Sequence, residues 1–228
     1  TMIRPIQFLR HYMPILAFFG LAVAGSSCKQ ETYEPGDGKY SFLRSDFVEV
    51  ATNASGAIVA FNTDDNRRLT LKTPMATRDL KADTIYRALV YYSEPTSGNL
   101  EIRNIRMINV SRPWTANDTQ EMKTDPTGWE SAWISKNRKY LNLTLKLMVG
   151  VSYDKEADTR HIVSVRRDSV IDRHVFLTLY HDQNGVPEYY THKSFLSISL
   201  GKDVQPGDAF TITVNTYNGL KKKTVYVP

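Results

Sequence analysis

The sequence predicts an all-β protein, a small five-stranded OB-like barrel followed by an immunoglobulin-like β-sandwich, and three observations carry that prediction. Helical periodicity is almost absent, while apolar and polar residues alternate with period two along most of the chain. Turn-forming residues punctuate those runs at short intervals. A composition break at 111–128, SRPWTANDTQEMKTDPTG, sets two prolines among small and polar residues and divides the strands into five before it and seven after it.

The first group comprises Arg44–Thr52, Ala57–Thr63, Arg67–Lys72, Thr84–Ser93 and Leu100–Ser111, with turns at Asn53-Ala54-Ser55-Gly56 and Asp64-Asp65-Asn66. In the last of these the apolar phase slips near Asn104, from Leu100 and Ile102 to Ile105 and Met107, as a bulge or a barrel corner requires. Five twisted strands suffice for a barrel of the OB type. The second group comprises Ser131–Ser135, Lys139–Met148, Arg160–Arg166, His174–His181, Tyr189–Leu200, Asp208–Tyr217 and Lys222–Val227. Leu141, Leu143, Leu145 and Leu147 alternate with Asn142, Thr144 and Lys146, which puts four leucines on one face of a half-buried strand. Asn218-Gly219 supplies a left-handed pair for a tight hairpin. Seven strands with such turns suggest the sandwich.

Ahead of the strands, Arg4 and Arg10 precede an apolar run from Met13 to Ala24, followed by Gly25-Ser26-Ser27 and the lone cysteine, Cys28. A basic segment, a short apolar run and small residues make a secretory leader. The cysteine just beyond it resembles the lipobox of bacterial lipoproteins, where the thiol carries diacylglycerol. The expected layout is a signal peptide over 1–27, a tether over 28–38, the OB-like domain over 39–112, a linker over 113–128 and the sandwich over 129–228. Lipid on Cys28 then makes a membrane the first partner, and removes an exposed thiol from an oxidising compartment. The expected location is the outer membrane, with surface exposure suggested by the acidic tether from Lys29 to Glu34.

Removing Arg4 and Arg10 lowers the basic count from 29 to 27 against 24 acidic residues, and the basic residues are scattered. No nucleic-acid partner is expected. No G-x-S-x-G nucleophile motif is present, and His161, His174, His181 and His192 show no metal-binding spacing, although His181 and His192 flank one loop. Asn62-Thr63-Asp64-Asp65-Asn66 lacks the glycine and glutamate of an EF-hand and reads as a turn. Asp154, Glu156 and Asp158 do not establish a glycosidase pair. The expectation is therefore a non-enzymatic protein with no cofactor and no metal. Candidate ligand-binding residues are the aromatics Tyr91, Tyr92, Trp114, Tyr189 and Tyr190, whose flat rings could stack on a glycan; the alternative is that one tyrosine of each pair fills a core.

Four stretches, GDGKYSFLRSDFVEV (Gly36–Val50), KADTIYRALVYYS (Lys81–Ser93), DPTGWESAWISKNRKYLNL (Asp125–Leu143) and LTLYHDQNGVPEYY (Leu177–Tyr190), resemble the NigD-like lipoproteins. The resemblance implies an OB-like domain followed by a β-sandwich. It also implies a gene context linked to bacteriocin production, and brings no established catalytic residues. Three functional expectations follow: an envelope binding module whose partner is a glycan or another envelope protein, an oligosaccharide-binding surface lipoprotein, or an accessory or immunity protein.

Overall fold

The fold is described from a computed structural model over residues 43–93, 100–115, 122–151 and 160–228. The leader, Cys28 and the tether lie outside these residues, as do Asp154, Glu156, Asp158 and positions 116–121. The chain is all-β. Strands β1 (Leu43–Thr52), β2 (Ile58–Thr63), β3 (Arg68–Met75), β4 (Ile85–Ser93) and β5 (Glu101–Met107) form a curled antiparallel half-barrel in the order β3-β2-β1-β4-β5. Alternation decides which face curls inward. Val48, Val50, Ala88, Val90 and Tyr92 meet Ile58 and Phe61 in its core.

The sandwich has two sheets. One is β6 (Asn109–Ser111), β12 (Tyr190–Ser199), β9 (Tyr140–Val149) and β8 (Gly128–Ile134). The other runs β14 (Gly219–Tyr226), β13 (Ala209–Thr216), β11 (His174–Asp182), β10 (Ile162–Ile171) and β7 (Trp114–Thr115). Leu141, Leu143, Leu145 and Leu147 face Val165, Leu177, Leu179, Phe210, Ile212 and Val214 across the core.

Four details differ from the sequence reading. The strand expected over Leu100–Ser111 divides at the buried Ile108, whose N–H donates to Arg87 O, so that β5 stays in the half-barrel and β6 joins β12 in parallel. Two parts of the expected linker pair with the sandwich: β7 runs parallel to Arg166 and Arg167, and Thr124 bridges to His181. The physical reason is that edge amides of β10, β11 and β12 need acceptors, and passing backbone supplies them. The strand expected to stop at Arg166 continues to Ile171 through a bulge between Arg167 and Ser169. In the β13–β14 hairpin only Gly219 is left-handed, at φ 86°, so that the loop closes as a turn ending in a glycine bulge.

The slip expected near Asn104 is present: Tyr91 pairs with Asn104 and Tyr92 with Ile102, leaving Arg103 bulged. Asp64-Asp65-Asn66 is a hairpin turn in which Asn66, at φ 65°, donates its N–H to Thr63 O.

The outer face of the half-barrel packs on the outer face of the β6-β12-β9-β8 sheet, which makes β9 buried on both faces rather than half-buried. Phe47 sets its ring edge-on to Trp133 at 5.2 Å and Phe195 at 5.4 Å. Arg87 donates to both oxygens of Asp64 and to Ser197 Oγ and Asn142 Oδ1. Glu49 accepts from Lys139 Nζ and Tyr140 OH, at 2.7 and 2.8 Å. The contact is polar but satisfied, as a buried polar contact must be.

Candidate functional site

A cleft of about 560 Å³ opens at one end of the sandwich, and local backbone irregularity creates it. In a regular strand, residues three apart point to opposite faces. The bulge beside Asp168 reverses the phase, so that Arg167 and Val170 both line the cleft, opposite Leu177 and Val175. Beyond them Asp172 and Arg173 form the two-residue turn to β11, with φ 46° and 64°. That turn type favours Asn-Gly, and an arginine there is strained. A clamp holds it: Arg173 Nε and Nη2 both donate to Asp208 Oδ1, at 2.7 and 2.6 Å. The Gln205 backbone N–H and the Arg173 guanidinium keep the Asp208 carboxyl below the usual carboxylate range.

Val175, Leu177, Leu200, Val204 and Phe210 make the floor, continuous with the sandwich core. Arg112, Arg167 and Lys202 stand at the rim, and none has a hydrogen-bond acceptor or ion-pair partner among the described residues. With Arg173 consumed by Asp208, Asp203 is the remaining acidic lining residue. The arrangement can hold a negative charge against an apolar wall. Its lining has no histidine, cysteine or threonine, and the hydroxyl of its one serine, Ser199, makes no hydrogen bond to a base among the described residues.

The aromatic candidates do not converge. Tyr92 is corrected outright: its ring is fully buried against Phe61, and its hydroxyl donates to Asp46 Oδ2 at 2.6 Å, so it cannot serve as a stacking platform. Tyr91 is partly buried and pairs with Ser45 and Asn104. Trp114 packs against Tyr180 at 5.8 Å, beneath the Arg166 guanidinium, one residue from Pro113 of the cleft. Tyr189 and Tyr190 are exposed, at 66% and 57%, but sit at the start of β12, a full strand length from Ser199 and the cleft.

His181 and His192 are not brought together either. His192 Nε2 meets Arg106, whereas buried His181 places Nε2 2.9 Å from Nδ1 of His161. Among the described residues no group of three His, Cys, Asp or Glu side chains converges to hold a metal. Sequence reading missed Arg112, Arg167, Arg173 and Lys202, which come from four separate segments. Its usable signal was the phase slip from Val163 and Val165 to Val170.

A profile of the NigD-like C-terminal beta sandwich domain matches residues 111–227, which include the whole cleft. No curated protein matches the chain. Among solved structures, a NigD-like immunity protein from Bacteroides caccae is similar at 25% identity and TM-score 0.60, covering 79% of this chain and 91% of that one. A protein of unknown function from Bacteroides vulgatus shares the fold at 16% identity and TM-score 0.61, covering 82% of this chain and 91% of its own. So does a candidate lipoprotein from Bacteroides fragilis, at 11% identity and TM-score 0.61, covering 82% and 98%.

Proposed function

The chain belongs to the NigD-like family, and from that premise we propose that it is a non-enzymatic binding protein of the cell envelope, held on the outer membrane by lipid on Cys28 and engaging its ligand through the sandwich cleft. The observation that carries the reading is the cleft itself: Arg112, Arg167 and Lys202 meet no acceptor among the described residues, beside an apolar floor. Cations without an acceptor beside an apolar wall suit an anion that a ligand supplies. The half-barrel supports the reading mechanically, because the Arg87 and Glu49 contacts tie it to the sheet that forms one wall of the sandwich. Support for the anchor is the leader and the position of Cys28.

Two measurements test this. Cells fed a labelled fatty acid should label the protein, and Cys28→Ser should abolish the label and release the protein from membranes. A photo-crosslinking residue in place of Val204, on the cleft floor, should capture a bound species in living cells, and an equivalent residue at exposed Leu220 should not. Absence of label removes the anchor, and absence of capture removes the binding site.

A second reading, bacteriocin immunity or accessory support, is favoured by the Bacteroides caccae relative, which is named an immunity protein. Deleting the gene should then raise sensitivity to a bacteriocin made by related strains, and unchanged sensitivity and production would remove this reading.

A further inference from the structure

We propose that the ligand of the cleft is a single-chain amphiphilic acid, with an acidic head between Arg112, Arg167 and Lys202 and an alkyl tail against Val175, Leu177, Leu200, Val204 and Phe210. The inference rests on the reading of the cleft as a binding site and names what that site takes. Charge sets the head. The lining has four cations and two carboxylates, but Asp208 is already neutralised by Arg173 and the Gln205 N–H, so the free groups are three cations against Asp203. Arginines in such a position recognise carboxylate or phosphate oxygens.

The tail follows from the floor. Leu177 and Phe210 belong to the sandwich core, and Val175, Leu200 and Val204 pack against that same core. Leu177 and Phe210 are already shielded by the fold, at 1% and 4% exposed, so the part of the wall that an alkyl chain would cover, and that a sugar or a free phosphate would leave against water, is the half-buried Val175, Leu200 and Val204. Volume limits the chain number. About 560 Å³ lies within the usual span of small-ligand sites and takes one chain with its head, not a two-chain lipid.

Backbone construction points the same way. Arg167 stands on the core-facing side of β10, across from Leu177, which is only 1% exposed. The bulge then turns Val170 to the same side, and the left-handed Arg173 lines the cleft beyond it. Irregular, strained backbone gathered at one opening is a feature of ligand clamps. An inward-pointing charge near a sheet edge can also serve only to prevent edge-to-edge pairing, and the experiment separates the two roles.

Calorimetric titration of the purified protein with dodecanoate and with dodecyl phosphate, both below their micelle concentrations, should show one-to-one binding. Dodecyltrimethylammonium and inorganic phosphate should not bind. Arg112→Ala with Arg167→Ala should weaken dodecanoate by about tenfold or more with no change in association state, and Val170→Asp, at a cleft position 53% exposed, should weaken it with an unchanged melting curve. Equal binding of the cationic amphiphile, or an unaltered affinity in the double variant, overturns the proposal; a double variant that instead self-associates assigns Arg167 to edge protection and overturns it too. Vesicles containing phosphatidylglycerol distinguish a membrane surface, since arginine-dependent co-sedimentation without binding of the free acids overturns the single-chain ligand. Should the Val204 cross-linker capture a species while no amphiphile binds, the ligand class falls and the binding-site reading survives; should both fail, the two fall together.

Discussion

Arg87 of β4 and Asp64 of the β2–β3 turn form a two-pronged ion pair, at 2.6 and 2.7 Å, with the arginine side chain wholly buried. The pair sits in the half-barrel, yet Ser197 and Asn142 of the sandwich complete the guanidinium's partners. The Tyr140 ring lies 4.2 Å from the guanidinium carbon. Arg87 therefore couples the two sheets through one charged group.

Removing Asp64 alone should be costly because it strands that charge. Asp64→Ala is expected to destabilise the fold by about 3–5 kcal/mol, whereas Arg87→Met combined with Asp64→Ala should recover part of the loss. Urea unfolding of the two single variants and the double completes the cycle. A coupling near zero would show that the pair contributes nothing beyond packing.

Alkaline pH should act on the neighbouring contact. Burial, then the hydrogen bond to the Glu49 carboxylate, pushes the Tyr140 hydroxyl up to about 12 from an ordinary value of 10.0. The unfolded chain therefore loses this proton first, and stability present below the ordinary value is lost as pH rises toward the folded one. Tyr140→Phe should flatten the stability profile over that window, as read from urea midpoints. An equally steep profile in the variant would assign the loss to other tyrosines.

Alternation made most of this fold legible, because a strand with one face in an apolar core writes its geometry into every second residue, as Leu141 to Leu147 do. What alternation cannot tell is whether the polar face meets water. Asn142 and Thr144 read as the polar side of a half-buried strand, and both are buried, as are Arg87 and Glu49 of the half-barrel. Their partners lie far away in sequence, Ser197 being 110 residues from Arg87. Strands β6 and β7 were illegible for a different reason: with three and two residues, they exist because β12 and β10 offer them a ladder. The cleft required both kinds of information, since a bulge hidden in Arg166-Arg167-Asp168-Ser169 decides which side chains share a face.

Turn chemistry supplies a sharper test in the half-barrel. Gly56 has φ +77°, and a Cβ there would stand 2.6 Å from the Leu80 carbonyl oxygen. Gly56→Ala must therefore pay for a left-handed conformation, about 1–2 kcal/mol, and also displace backbone. Total destabilisation should exceed about 2 kcal/mol, measured by urea unfolding, while Gly201→Ala, with nothing within 4 Å of its Cβ, should show the conformational part alone. Equal losses at the two positions would mean that the close approach at Leu80 relaxes freely.

The His161–His181 contact predicts acid sensitivity. His161 Nε2 lies 3.0 Å from Met148 O and His181 Nδ1 lies 3.1 Å from Asp125 O, so each of these nitrogens must carry a proton. That leaves His161 Nδ1 facing His181 Nε2 at 2.9 Å, and a hydrogen bond there needs one proton more than two neutral rings hold. The rings are edge to edge, because their 5.1 Å centroid separation is accounted for by this contact and the two ring radii. Burial, followed by the charge on His181, holds His161 below its ordinary 6.5, with Glu188 opposing and Asp125, Asp182 and Lys123 nearby. The unfolded chain then binds more protons than the native one as pH falls below about 6.5, so stability should decline from that point downward. His161→Gln, which keeps a polar group toward His181, should lessen the decline between about pH 7 and 5.5, above the range where most carboxylates titrate. Urea midpoints across that window check it, and an unchanged slope in the variant would show that His161 does not carry the decline.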